Sequence, residues 1–149
     1  MTITVDVQNA SVRTDLPGTD EILKWVCAAL ARRRERAELT VRIVDEPEGR
    51  ELNEHWRQKS GATNVLSFPA ETPGALLPEL LGDIVICAPI VATEAAQQHK
   101  PLFAHWAHMI VHGTLHLLGY DHIKEADAEA MERLEISILK TLGYPNPYL

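Results

Sequence analysis

Ile3 to Val7 alternates apolar and polar residues, the period of a strand with one buried face. A turn at Leu16–Asp20 follows, with Thr19 or Asp20 placed to cap a helix. Ile22, Leu23, Val26, Cys27 and Leu30 then recur at helical spacing, which predicts a helix ending near Ala37. Leu39 to Asp45 alternates again and predicts a second strand. Pro47 to Gln58 predicts a helix with Leu52 and Trp56 on one face. Asn64 to Phe68 is a short strand stopped by Pro69, and residues 69–80, with Pro73, Gly74 and Pro78, predict an irregular excursion. Gly82 to Cys87 is almost continuously apolar, as a central strand requires. Pro89 opens a helix to about His99, and Pro101 opens another that reaches Leu118, where Gly119 is placed to stop it. Glu125 to Leu142 is the last helix, with Met131, Leu134, Ile138 and Leu142 as its inner stripe, closed by Gly143 and Pro145. The order predicts one α+β domain over residues 1–149: a small mixed sheet of about four strands with about five helices on its faces.

Composition narrows what such a domain can do. Of 149 residues, 46% are hydrophobic and 23% charged, enough apolar material for one core. The net charge of −7 excludes a general nucleic-acid coating protein, whose affinity rests on many Lys/Arg–phosphate contacts. The charge is uneven: residues 1–60 carry a net of −1 and residues 61–149 a net of −6, so any basic surface must come mainly from the first 60 residues. No window approaches the ~18 apolar residues of a membrane span. Met1–Asn9 lacks the basic and apolar regions of a signal peptide, and Cys27 and Cys87 form no Cys-x-x-Cys pair and are expected as buried free thiols. These features point to the cytoplasm.

Histidine changes the picture most. Six of the seven, His99, His105, His108, His112, His116 and His122, fall within 24 residues. His112 and His116 are four apart on a predicted helix and share a face. Gly119 can end that helix with φ > 0, and the turn can return His122 to the same point. Three neutral imidazoles leave the fourth position of a tetrahedral zinc open, as in catalytic sites. The spacing matches the metzincin pattern H-E-x-x-H-x-x-G-x-x-H, but Gly113 stands where that pattern has its general-base glutamate. Met131 fits the inner stripe of the last helix and is expected in the core rather than in a Met-turn.

The block His112–His122, with Trp106 and His108 before it, resembles the bacterial endoribonuclease YbeY family. So do Leu52–Arg57, Thr63–Pro69 and Leu81–Ile86, in the family order; together they span about residues 40–145. The resemblance implies a single-strand-specific, metal-dependent endoribonuclease of ribosomal RNA maturation and ribosome quality control. It assigns one Zn2+ per chain to His112, His116 and His122, a functional arginine to Arg57, and partners among ribosomal proteins and the GTPase Era. The second motif often carries Asp in the family where this chain has Asn64, which keeps a hydrogen-bonding role and loses a general-base one.

In that reading the candidate catalytic residues are Arg57, His112 and Asp121. Arg57 is a bidentate clamp for the scissile phosphate. Asp121 orients a ligand imidazole or acts as a base, against the alternative of a turn-stabilising aspartate. Asp83 is a possible partner contact or simply a strand-initiating residue. His105 lies ~10 Å along the helix from His112, too far to share an ion, and His108 is expected to support or pack against the site. Arg32–Arg34 and Arg36 form the densest basic run, expected as a solvated helix end; Arg42, Arg50, Arg57 and Lys59 are the better RNA candidates. Two other functions stand beside the nuclease: a ribosome-assembly factor whose zinc is structural, kept open by the missing glutamate, and a zinc hydrolase, weakened by Gly113.

Overall fold

The computed structural model describes residues 2–57, 61–70, 79–120 and 124–149, and these form four strands and five helices. The elements are β1 (Thr2–Asn9), α1 (Thr19–Leu30), β2 (Arg36–Val44), α2 (Glu46–Trp56), β3 (Val65–Pro69), β4 (Leu80–Cys87), α3 (Ala88–Gln97), α4 (Leu102–Leu117) and α5 (Glu125–Thr141). The sheet order is β1-β2-β4-β3; β1 and β4 both run parallel to β2, while β3 pairs antiparallel with β4. The expected mixed sheet and α+β class are therefore present, and the apolar run Gly82–Cys87 lies inside the sheet.

The strand alternation divides the sheet into two faces. Leu39, Val41, Ile43, Ile84 and Ile86 point to the face covered by α1 and α4, where Ile22, Val26, Leu30, Ile110 and Leu115 complete the main core. Val44, Leu66, Val85 and Cys87 point the other way, against Leu52 of α2. Cys27 and Cys87 are free thiols, Cys87 buried and Cys27 half-buried.

One boundary departs clearly from the sequence expectation. α1 stops at Leu30, and Arg32 takes φ 68, so the chain reverses before Ala37. Arginine favours helices, which carries the local reading too far. Pairing overrides it: β2 must begin at Arg36 to lie opposite Thr2 of β1. The cap of α1 is Gly18, whose N–H donates to Glu21 Oε2 at 2.9 Å, rather than Thr19 or Asp20.

α4 positions the histidines. Eleven of its 16 residues are buried, including Trp106, Ile110 and Leu115, because it touches β3 and β4 on one side and α1, α3 and α5 around its flanks. Gly113 lies close against the sheet. A Cβ there would lie 3.0 Å from Ile84 Cγ2 and 3.3 Å from Ser67 Oγ, and the Ser67 hydroxyl donates to the Gly113 carbonyl at 3.1 Å. Gly113 therefore faces the sheet. A glutamate in its place would be overpacked and would bury an unpaired charge. Gly113→Glu is expected to cost about 3 kcal/mol or more. Urea unfolding measures it, and an unchanged midpoint would show that α4 can stand off the sheet.

Candidate metal centre

The helical spacing of α4 brings His112 and His116 together as the sequence predicts. Their Nε2 atoms are 3.1 Å apart, and the rings meet edge to face with centroids 4.6 Å apart. Two nitrogens bound to one zinc at ~2.0–2.1 Å with tetrahedral angles sit roughly 3.4 Å apart, so the pair fits a shared cation with a small adjustment. Gly119 takes φ 101 directly after α4, as its place as a helix stop predicts. His122 and Asp121, assigned to the same site by the spacing and the family resemblance, lie outside the described residues.

Behind His112 stands a residue that sequence reasoning missed. Glu135 is buried on α5, between Met131 and Ile138 of the inner stripe, with only 1% of its surface exposed. Its Oε2 lies 2.8 Å from His108 Nε2 and 3.2 Å from His112 Nδ1, and its Oε1 accepts from the Tyr148 hydroxyl at 2.8 Å. Burial alone would push this carboxyl up. The hydrogen bonds from His108 and His112, with the electrostatic pull of the same two rings, outweigh burial and hold it down at about 2. Burial first, and then the neighbouring Glu135 charge, push the Tyr148 hydroxyl up, so it stays a donor. His108, His112 and Glu135 offer three ligand atoms within 4.8 Å of one another, a set that could itself hold a metal ion. One signal could have found Glu135. It falls four residues after Met131 and three before Ile138, so it lies on the apolar stripe, where an acid needs a partner.

A second polar group starts from His105. Its Nε2 is 2.9 Å from Glu94 Oε1 on α3, and Asn64 Nδ2 donates to the same carboxylate at 3.1 and 3.3 Å. Asn64 also accepts from the Val65 N–H at 2.7 Å, so it keeps the hydrogen-bonding role expected of it and ties the start of β3 to α3. The Nδ1 atoms of His105 and His108 are buried with no hydrogen-bond partner among the described residues. That suits neutral rings whose single proton sits on Nε2, facing an acid. His108, expected to support or pack against the site, thus meets Glu135, and Met131 is in the core at 1% exposure.

The basic residues have different surroundings in the fold. Arg57 is exposed at the end of α2. Arg42, a favoured RNA candidate, is engaged by Glu48: Nε donates to Oε2 at 2.6 Å and Nη2 to Oε1 at 3.0 Å. Arg33 and Arg34 instead line a cleft of about 310 Å³ with Leu118, Gly119 and Tyr120, the turn that leads from α4 toward His122. Lys59 lies outside the described residues. Asp83 is exposed in a groove of about 800 Å³ on the α2 side of the sheet, with Trp56, Phe68 and Arg42. No helix among the described residues is long and apolar enough to cross a membrane.

Acid should loosen the Glu94 group first through its carboxyl, which the His105 hydrogen bond holds below its ordinary value against burial, with Asn64 adding to it. A carboxyl with a lowered folded value stabilises above its unfolded value of 4.5, and that contribution is lost as pH falls through the lower folded one. The urea midpoint of the wild type should therefore fall toward that of Glu94→Gln as pH drops below about 5. A gap that stays constant with pH would contradict this.

Comparison with known proteins places the chain. Residues 5–143 match the family model described as Endoribonuclease YbeY. A protein named Endoribonuclease YbeY from Stutzerimonas stutzeri is 56% identical over 147 residues, covering 98% of this chain and 91% of the relative. The protein of that name from Nitrosococcus oceani is 51% identical over 150 residues, covering 99% and 98%. A Thermotoga maritima protein solved in solution shares the fold, with a TM-score of 0.62 at 20% identity over 94% of this chain and 92% of that one. The chain belongs to the YbeY endoribonuclease family.

Proposed function

We propose that the chain is a zinc-dependent endoribonuclease that cuts single-stranded RNA in ribosomal RNA maturation and ribosome quality control. The observation that carries the metal site is the meeting of His112 Nε2 and His116 Nε2 at 3.1 Å, with the far nitrogen of His112 on the Glu135 carboxylate. His112, His116 and, by its spacing, His122 would hold one zinc. When bound, the ion supplies Lewis-acid chemistry and water of lowered pKa.

The other residues handle the polyanion. Arg57, exposed and bearing a planar fork of donors, suits two oxygens of the scissile phosphate. Arg33 and Arg34 stand at the turn after α4, where they offset the acidic balance of residues 61–149 and can meet a neighbouring phosphate. Asp121, beside His122, is proposed to orient a ligand imidazole or to take a proton. Gly113 cannot supply the base of the metzincin pattern, and its contact with Ile84 and Ser67 leaves little room for a larger side chain. That disfavours peptide hydrolysis. Partners among ribosomal proteins and the GTPase Era, and a cytoplasmic location, belong to the same reading.

The test is metal analysis together with cleavage of single-stranded RNA by wild type, His116→Ala and Arg57→Ala. Wild type should carry about one zinc per chain. His116→Ala should lose metal and cleavage together. Arg57→Ala should keep the metal and cut roughly 10²–10³-fold more slowly. RNA binding should weaken with salt, and Arg33→Ala with Arg34→Ala should flatten that dependence. If extensively purified wild type cuts no better than both single-site variants, the nuclease reading fails.

A further inference from the structure

We propose that Glu135 is a positioning residue for the metal centre: its carboxylate takes the Nδ1–H of His112 and so commits His112 Nε2 to the cation shared with His116. This rests on the reading of His112 and His116 as ligands.

The argument is one of donors and acceptors. An ionised carboxylate only accepts hydrogen bonds, so a ring nitrogen 3.2 Å from Glu135 Oε2 must present its proton there. A neutral imidazole has one N–H, which leaves the lone pair on Nε2, the atom 3.1 Å from His116 Nε2.

The carboxylate is itself held still. His108 Nε2 shares Oε2 at 2.8 Å, and the Tyr148 hydroxyl occupies Oε1 at 2.8 Å. Three donors offset the cost of burying one charge. Tyr148 is brought there by the segment after α5. Lys100 Nζ donates to the Pro147 carbonyl, the Tyr148 N–H donates to Asn146 Oδ1 at 2.8 Å, and the Tyr148 ring meets His108 edge to face at 5.3 Å.

The alternative is that His108, His112 and Glu135 bind the ion directly. That use draws on His108 and Glu135 in place of His116. The hydrogen-bond distances, and the Tyr148 hydroxyl already on the carboxylate, favour the positioning role.

The full chain is tested as wild type, Glu135→Gln and His116→Ala, by zinc affinity in chelator competition and by ring-nitrogen NMR of the zinc-loaded protein. Melting of the metal-free proteins checks folding. Wild type should show the His112 proton on Nδ1. Glu135→Gln should still bind one zinc, about 10–100-fold more weakly, and His116→Ala should lose it. Unchanged zinc affinity in Glu135→Gln would overturn the proposal. So would a proton on His112 Nε2 in the zinc-loaded wild type, which decides the matter even if Glu135→Gln does not fold. Full zinc affinity in His116→Ala would place the ion among His108, His112 and Glu135 instead. A wild type that binds no zinc would defeat the metal reading itself.

Discussion

The burial of α4 is the constraint on which the rest depends. A helix enclosed by sheet and helices has almost no face left for solvent, so each polar residue on it needs a partner or a function. Four histidines lie on it. His105 meets Glu94 from α3, His108 and His112 meet Glu135 from α5, and His112 meets His116 along the helix itself. The neighbouring elements thus bring two acids to a row of imidazoles, and the row ends at the turn that carries the remaining predicted ligand.

The same packing bears on the glycine that stands where the metzincin pattern has its base. On a helix the residue after a ligand histidine lies about 100° round the axis. Here that direction is the sheet, where Gly113 lies against Ile84 and Ser67. Steric room is short at position 113, and the acid beside His112 comes from another helix.

Charge is also settled by the fold. Residues 61–149 are strongly acidic, yet the reversal after α1 sets Arg33 and Arg34 beside Gly119 and Tyr120. Arg42 illustrates the opposite case. On the chain it is an available cation, but in the fold α2 presents Glu48 to it, and two hydrogen bonds engage its guanidinium. Spacing along a chain says nothing of such partners, because the acid and the base lie on different elements.

Much of this protein was legible locally. Period-2 and period-3.6 patterns located the four strands and five helices, since each element buries one face and its own spacing reports that face. His112 and His116 were legible because four residues make about one helical turn. The end of α1 was not, because Thr2 opposite Arg36 decides it, and strand pairing is a contact between distant residues. Nor was the role of Glu135, 23 residues from His112: its place on the stripe announced a buried acid, but only the packing of α5 on α4 said which rings it meets. The sequence by itself determined the elements and the pairing of His112 with His116 on one helix, because both follow from the geometry of neighbouring residues. The tertiary structure alone decided which acid meets which imidazole and which arginine meets a carboxylate, because hydrogen bonds and ion pairs join groups on different elements.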